Sequence, residues 1–199
     1  MKVRFLILGF IVLITNDLIS QEKDSLRIIQ INSLISLIPD DIRTNDNYSN
    51  IQASGLINKK IFGLFKKQIG SVSSEIIYHD TLIYRISNIY EYKKDNKRLI
   101  ETFNYSDNKL IRYEKELTIQ TDSDSTSILK QKILAYFDNN RLIKHFDTIN
   151  DNFIFDKSEQ IKVTGMASIE IYNTLESLRV LNNYAPGTPE IRLRKQINE

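Results

Sequence analysis

The 199-residue sequence contains no cysteine. This excludes disulfides, a thiol nucleophile, a thiolate metal site and the modified cysteine that holds a bacterial lipoprotein to its membrane. Tryptophan is also absent, and there are only two histidines, three prolines and six glycines. Two histidines give little support to a histidine metal centre. We therefore expect no metal site and no cofactor.

Charge of one sign is not in excess. The chain has 27 basic and 25 acidic residues, and without Lys2, Arg4 and Asp17 near the start it has 25 and 24. A nucleic-acid-binding domain normally shows a strongly basic balance, so we expect no nucleic acid as a partner. With 41% hydrophobic and 26% charged residues, the composition is that of a folded domain.

Long hydrophobic runs are absent except at the start. Met1–Arg4 is positively charged, Phe5–Ile14 is an unbroken apolar run, and the small Ser20 precedes a polar stretch. The run is about half the length that a membrane-spanning helix needs, and this order of regions is typical of a cleavable secretory signal peptide. We expect residues 1–20 to be removed, and the protein to be periplasmic or secreted and not a lipoprotein.

Apolar residues show helical spacing in three segments. Asp24–Ile38 has this spacing and stops at Pro39, although its β-branched residues also allow a strand. Ile51–Ile69 has apolar residues on one face and lysines on the other, but its two glycines each lower helix propensity by about 1 kcal/mol relative to alanine. Met166–Asn182 has an apolar residue at every third position. The spacing predicts two N-terminal helices and one C-terminal helix.

From Glu75 the apolar period changes from about 3.6 to 2. Between positions 82 and 92, all even-numbered residues except Asn88 are apolar or aromatic, which is typical of a half-buried strand. Lys109–Gln120 alternates similarly, and Ser127–Phe137 with Arg141–Ile149 predicts a hairpin. The segments 153–155 and 160–163 are candidates for short further strands.

A short unit occurs three times, at residues 92–100, 105–112 and 137–144: an aromatic residue, an Asp-Asn pair, a basic residue and Leu-Ile. Asp and Asn favour turns, so each unit predicts a hairpin, with loops of three to five residues because Asn-Gly is missing. Over residues 82–149 the units resemble hairpin repeats of secreted and antitoxin-like bacterial proteins, which carry an aromatic-x-Asp/Asn-Gly-Lys-Leu run. The turn glycine is missing and the spacing is irregular, so the sequence is assigned to no family.

These elements predict an α+β fold. It consists of two N-terminal helices, an antiparallel β-meander of five to seven strands built from hairpins, and one C-terminal helix packed on the sheet. We expect a single domain over residues 21–188 and a loose charged tail over 189–199.

Two groups of residues are candidates for binding. Tyrosines cluster in the predicted strands and offer area at low entropic cost, although such residues also pack in cores; the candidates are Tyr84, Tyr90, Tyr92, Tyr105 and Tyr113. Lysines of the second predicted helix would meet an anionic membrane surface, or simply face solvent; they are Lys59, Lys60, Lys66 and Lys67.

No motif indicates catalysis. His79 and His145 each lie near an aspartate, but no nucleophile motif accompanies them. We therefore predict a non-enzymatic binding or interaction module of the cell envelope or extracellular space, with a protein or a small apolar ligand as partner. The alternatives are a lipid-handling or membrane-peripheral protein with peripheral membrane contact, and a hydrolase of unknown substrate.

Overall fold

The computed structural model describes residues 22–39, 48–61, 65–120, 127–147, 155–184 and 197–198. The predicted signal peptide and nearly all of the predicted tail lie outside the described residues. The chain forms two compact units, Met1–Ile38 and Pro39–Glu199, and each is described by itself.

The described part of the first unit is one helix, α1 (residues 22–36). Its last turn tightens, since the N–H groups of Leu37 and Ile38 donate to the carbonyls three residues earlier, and Pro39 follows. The helix buries Ile31 and exposes large apolar side chains, namely Leu26, Ile29 and Leu34. The prediction of a helix over Asp24–Ile38 is confirmed.

The second unit is built on one sheet. Its seven antiparallel strands are β1 (Ser49–Ile61), β2 (Phe65–His79), β3 (Leu82–Tyr92), β4 (Lys97–Ser106), β5 (Lys109–Gln120), β6 (Ser127–Asp138) and β7 (Arg141–Asp147). They lie side by side in chain order, and β8 (Ile197–Asn198) pairs parallel with the free side of β1. A long helix, α2 (Lys157–Tyr184), follows β7. The predicted α+β class, antiparallel meander and C-terminal helix are confirmed.

The predicted second N-terminal helix is wrong, because residues 51–61 belong to β1 and residues 65–69 to β2, while 62–64 lie outside the described residues. The segment contains β-branched residues and two glycines, which weaken a helix, and it also alternates with period 2 from Ile51 to Ile57. Pairing with β2 decided between the two periods: Ile51 lies opposite Ile76 and Ile57 lies opposite Gly70, all facing the α2 side of the sheet.

Three hairpins have two-residue turns at the same end of the sheet, called here the tight-turn end. Asp107 and Asn108, and likewise Asn139 and Asn140, have positive φ, as a type I′ turn requires. Asp and Asn adopt this backbone more readily than other non-glycine residues. The expected loops of three to five residues are therefore wrong at these turns, while Lys93–Asn96, at the opposite end, is a four-residue turn.

A bulge follows each tight turn. The strand after the turn has one extra residue, which is Tyr84 in β3, Ile111 in β5 and Ile143 in β7. The repeating structural unit therefore comprises residues 78–85, 105–112 and 137–144. The predicted copy at 92–100 belongs to the opposite end of the sheet, and the copy at 78–85 was missed because Thr81-Leu82 replaces the polar and basic pair.

The core is a row of side chains that crosses the sheet beneath α2. Six strands contribute one residue each in direct register: Ile51, Ile76, Ile86, Phe103, Tyr113 and Ala135. Val163 and Ala167 of α2 pack on this cluster, and the Tyr105 hydroxyl donates to the Ala167 carbonyl at 3.2 Å. The row fixes one face of the sheet as the helix face.

Helix α2 begins earlier than predicted, and the strand expected at 160–163 is wrong. Asp156 caps the helix by accepting a hydrogen bond from the N–H of Glu159 at 2.8 Å. The buried stripe follows a spacing of four and seven residues through Val163, Ala167, Thr174 and Leu178. The predicted stripe at every third residue drifts around the helix, because three is shorter than a 3.6-residue turn.

Asn108 and Asn140 allow a matched test of the turns. Both have positive φ, but the Asn108 amide also accepts from the N–H of Ile83 at 2.8 Å and donates to the Thr81 carbonyl at 3.0 Å. We expect Asn140→Gly to stabilise the fold by a few tenths of a kcal/mol, because glycine relieves the strain. Asn108→Gly should destabilise it by about 1–2 kcal/mol, because two hydrogen bonds between turns are lost.

Urea unfolding of the full chain measures both changes. Equal effects of the two substitutions would contradict a role for the Asn108 amide in joining neighbouring hairpins.

Candidate functional site

Cross-strand pairing brings the four candidate lysines together. Lys59 of β1 lies opposite Lys67 of β2, and Lys60 lies opposite Lys66 at the next position. The two lysine pairs therefore occupy successive register positions of one hairpin. The lysines thus form a group, although the helix that was expected to carry them does not exist.

The lysines lie on a ribbon that extends past its described neighbours. Strand β3 accompanies β2 only to the register pair Gly70–Tyr92, and β8 accompanies β1 only at Ile57 and Asn58. We call residues 58–61 and 65–68 the lysine ribbon. From Gly70 to Phe65 the ribbon advances about 16 Å at the usual rise of a strand. Lys59 and Lys67 are exposed on it.

The base of the ribbon is held by a close approach of β3. A Cβ atom at Gly70 would collide with the carbonyl oxygen of Glu91, so a side chain at this position would push the strands apart. Next to it, Ile69 is an extra residue in β2, and its carbonyl accepts from the N–H of Lys93 at 3.0 Å. This contact places the exposed Lys93 and Lys94 beside the ribbon.

The ribbon itself contains no acidic residue. The sequence has no Asp or Glu from position 47 to position 74, and within this stretch it has four lysines. Like charges directly opposite each other destabilise an antiparallel pair. The lysine pairs therefore lower the stability of the hairpin. A hairpin with a structural role alone would not need such pairs.

The five candidate tyrosines do not form one exposed surface. Tyr105 and Tyr113 are each only 2% exposed, and both lie in the core beneath α2. Tyr90 and Tyr92 face the same side and are half-buried, whereas the ring of Tyr84 packs edge-on against Tyr48. The structure thus places Tyr105 and Tyr113 where a ligand meets them only if the core opens.

A buried polar row runs beside the apolar row. Ser74, Asn88 and Glu101 occupy successive strands in register, and Asn88 and Glu101 are 1% and 8% exposed. The Ser74 hydroxyl donates to Asn88 Oδ1 at 2.5 Å, and the Tyr113 hydroxyl donates to Glu101 Oε1 at 2.6 Å. The sequence pattern marked Asn88 as the exception in its strand and gave no sign that it is buried.

Burial raises the pKa of Tyr90, Tyr105 and Tyr113, because a phenolate would lose its hydration. The negative charge of Glu101 raises the pKa of Tyr90 and Tyr113 further, and Glu170 does so for Tyr90 and Tyr105. The folded state therefore holds these phenols protonated at a pH where the unfolded chain loses their protons.

The sign of the pH dependence follows from this difference. Above about pH 10, the usual pKa of tyrosine, the unfolded chain binds fewer protons than the folded one, so stability falls as pH rises. We expect urea unfolding of the full chain to show this loss setting in near pH 10 and growing as the pH rises further, and Tyr113→Phe to reduce the slope there. The same variant should lose about 1–3 kcal/mol near neutral pH, because the buried Glu101 loses a hydrogen-bond donor. An unchanged slope would contradict the role of Tyr113.

The two histidines do not meet. His79 ends β2 and lies 3.4 Å from the exposed carboxylate of Asp80, while the His145 ring in β7 lies 5.8 Å from the ring of Phe155. Four strands separate β2 from β7 in the sheet. Among the described residues, no three His, Asp or Glu side chains are grouped as a metal site requires. Nor does either described helix have the length and apolar composition to cross a bilayer.

Comparison with known proteins gave no match: the chain matches no protein-family model, no curated protein and no solved structure.

Proposed function

We propose that the exported chain is a non-enzymatic interaction module of the cell envelope or extracellular space, and that it docks on an anionic membrane surface through the lysine ribbon. One observation carries the proposal: Lys59 lies opposite Lys67 and Lys60 opposite Lys66 on a ribbon that extends past its described neighbours. The proposal joins the interaction module and the membrane-peripheral protein predicted from the sequence.

Electrostatics support an anionic partner. Each lysine near an anionic lipid surface contributes about 1 kcal/mol to binding, and the contribution falls off within a Debye length. Four lysines on a ribbon projecting about 16 Å can all come within that distance when its end meets the surface. The same charges repel each other in solution, so an anionic surface relieves a repulsion already present in the fold.

The end of the ribbon supports a lipid surface over a soluble anion. Ile61 and Phe65 form the last register pair before the connection between the strands. Apolar residues next to lysines are typical of segments that bury apolar groups at the headgroup boundary and leave the amines among the phosphates.

Vesicle binding tests the proposal. The protein, purified in the form in which its host exports it, is mixed with vesicles of phosphatidylglycerol and phosphatidylcholine and then sedimented. We expect binding that weakens as salt is added, and Lys59→Gln with Lys67→Gln should weaken it about 30-fold at low ionic strength, since two lysines contribute about 2 kcal/mol.

The matched control removes two lysines from elsewhere in the sheet. Lys109→Gln with Lys144→Gln causes the same loss of charge, and Lys109 begins β5 at the tight-turn end. This variant should bind as the unmodified chain does. Equal weakening in both variants, or no binding to anionic vesicles, would overturn the proposal. If the protein bound a soluble acidic polymer but not vesicles, its partner would be an acidic macromolecule and not a membrane.

The cost of the lysine pairs provides a second prediction. Lys59→Glu places a carboxylate opposite Lys67, so a repulsive register pair becomes an attractive one. We expect the free energy of unfolding to rise by about 0.5 kcal/mol, while vesicle binding weakens. Thermal and urea unfolding measure the first effect, and sedimentation with vesicles measures the second. If Lys59→Glu lowered the stability and left vesicle binding unchanged, both the cost of the lysine pair and its role in docking would be contradicted.

A further inference from the structure

The outer face of α2 exposes large apolar side chains. Ile161, Ile169 and Tyr172 are 62%, 60% and 70% exposed, and the spacing of eight and then three residues puts them on one face of the helix. Gly165 lies on the same face, and a Cβ atom there would meet no atom within 4 Å. A glycine inside a helix weakens it, and no packing among the described residues explains Gly165.

Charges flank this face symmetrically. Lys162 precedes Ile169 by seven residues and Glu176 follows it by seven, so both lie about 10.5 Å from Ile169 along the axis. Seven residues are close to two turns, so both charges lie on the face of Ile169. Both side chains are exposed, and the contact of Lys162 with Glu159 is a long one, at 3.8 Å.

We infer that this face binds the same face of a second copy of the chain, with the two α2 helices antiparallel and a two-fold axis near Ile169. This arrangement places Lys162 of each copy beside Glu176 of the other, which gives two ion pairs. A parallel arrangement would place lysine beside lysine and glutamate beside glutamate. Lys162 and Glu176 thus meet opposite charges in the antiparallel orientation and like charges in the parallel one.

The apolar residues fit the same arrangement. Ile169 meets its own counterpart at the two-fold axis, as a self-complementary interface requires. Gly165 lets the second helix approach closely. Ile161 precedes Gly165 along the helix and Tyr172 follows it, and both side chains cover the contact. An interface with few large side chains predicts a dimer of micromolar rather than nanomolar affinity. The inference is independent of membrane docking, since none of these residues belongs to the lysine ribbon.

Sedimentation velocity of the full chain over a range of concentrations tests the inference. We expect a monomer–dimer equilibrium in the micromolar range, and Ile169→Lys should raise its dissociation constant by at least about 30-fold, as for a central interface residue. Lys162→Glu alone and Glu176→Lys alone should each raise it about tenfold, because like charges then face each other. The double variant Lys162→Glu/Glu176→Lys should restore it.

Two further variants separate the interface from the fold. Leu56→Lys changes another exposed apolar residue, 51% exposed on β1, and should leave the dissociation constant unchanged. Gly165→Leu should abolish the dimer while the monomer keeps its circular dichroism spectrum, because the side chain enters open space. A monomer at all concentrations would overturn the inference. It would also be overturned if the unmodified chain dimerised but the double variant Lys162→Glu/Glu176→Lys did not regain its dissociation constant.

Discussion

The register of the antiparallel pairs is the constraint on which the rest of this structure depends. Because side chains alternate between faces, one register places Ile86, Phe103 and Tyr113 beside each other beneath α2, and a slip by one residue would turn them away from it. The tight turns set this register with Asp and Asn at positive φ, and the bulges in β3 and β5 leave Ile86 and Tyr113 facing α2.

The same register determines where polar groups lie. It buries Asn88 and Glu101 in the row beside the core, where Ser74 and Tyr113 donate to them. At the end of the sheet opposite the tight turns, the register places Lys59 opposite Lys67 and Lys60 opposite Lys66. In the first case hydrogen bonds to Asn88 Oδ1 and Glu101 Oε1 offset part of the cost of burying polar groups, while Asn88 Nδ2 has no hydrogen-bond partner among the described residues. In the second case the ribbon residues of β1 and β2 include no acidic side chain, so these two strands do not themselves offset the repulsion between the lysine pairs.

Sequence patterns predicted the elements whose periodicity had a single interpretation. The alternation in β3 and β5 and the Asp-Asn turn of residues 105–112 each led to the observed structure. The segment Ile51–Ile69 fits periods 2 and 3.6, and only pairing with β2 decides between them. The lysine group was predicted for the wrong reason: lysines seven residues apart share a helix face, but residues 59 and 67 meet here because a hairpin connects them. The buried face of α2 is set by contact with the core row of the sheet. A three-residue repeat in the helix sequence does not indicate which helix residues make that contact.

The proposed membrane docking and the proposed α2 dimer would reinforce each other energetically. Four lysines contribute about 4 kcal/mol at an anionic surface, which gives only weak, reversible binding. A dimer through α2 carries two ribbons, and once one ribbon is bound, the second binds from a high effective concentration. The gain depends on whether both ribbons reach the same plane, which the two-fold axis near Ile169 determines. A micromolar dimer therefore forms more readily on a membrane than in solution, because the surface concentrates the monomers, so that docking and dimerisation favour each other.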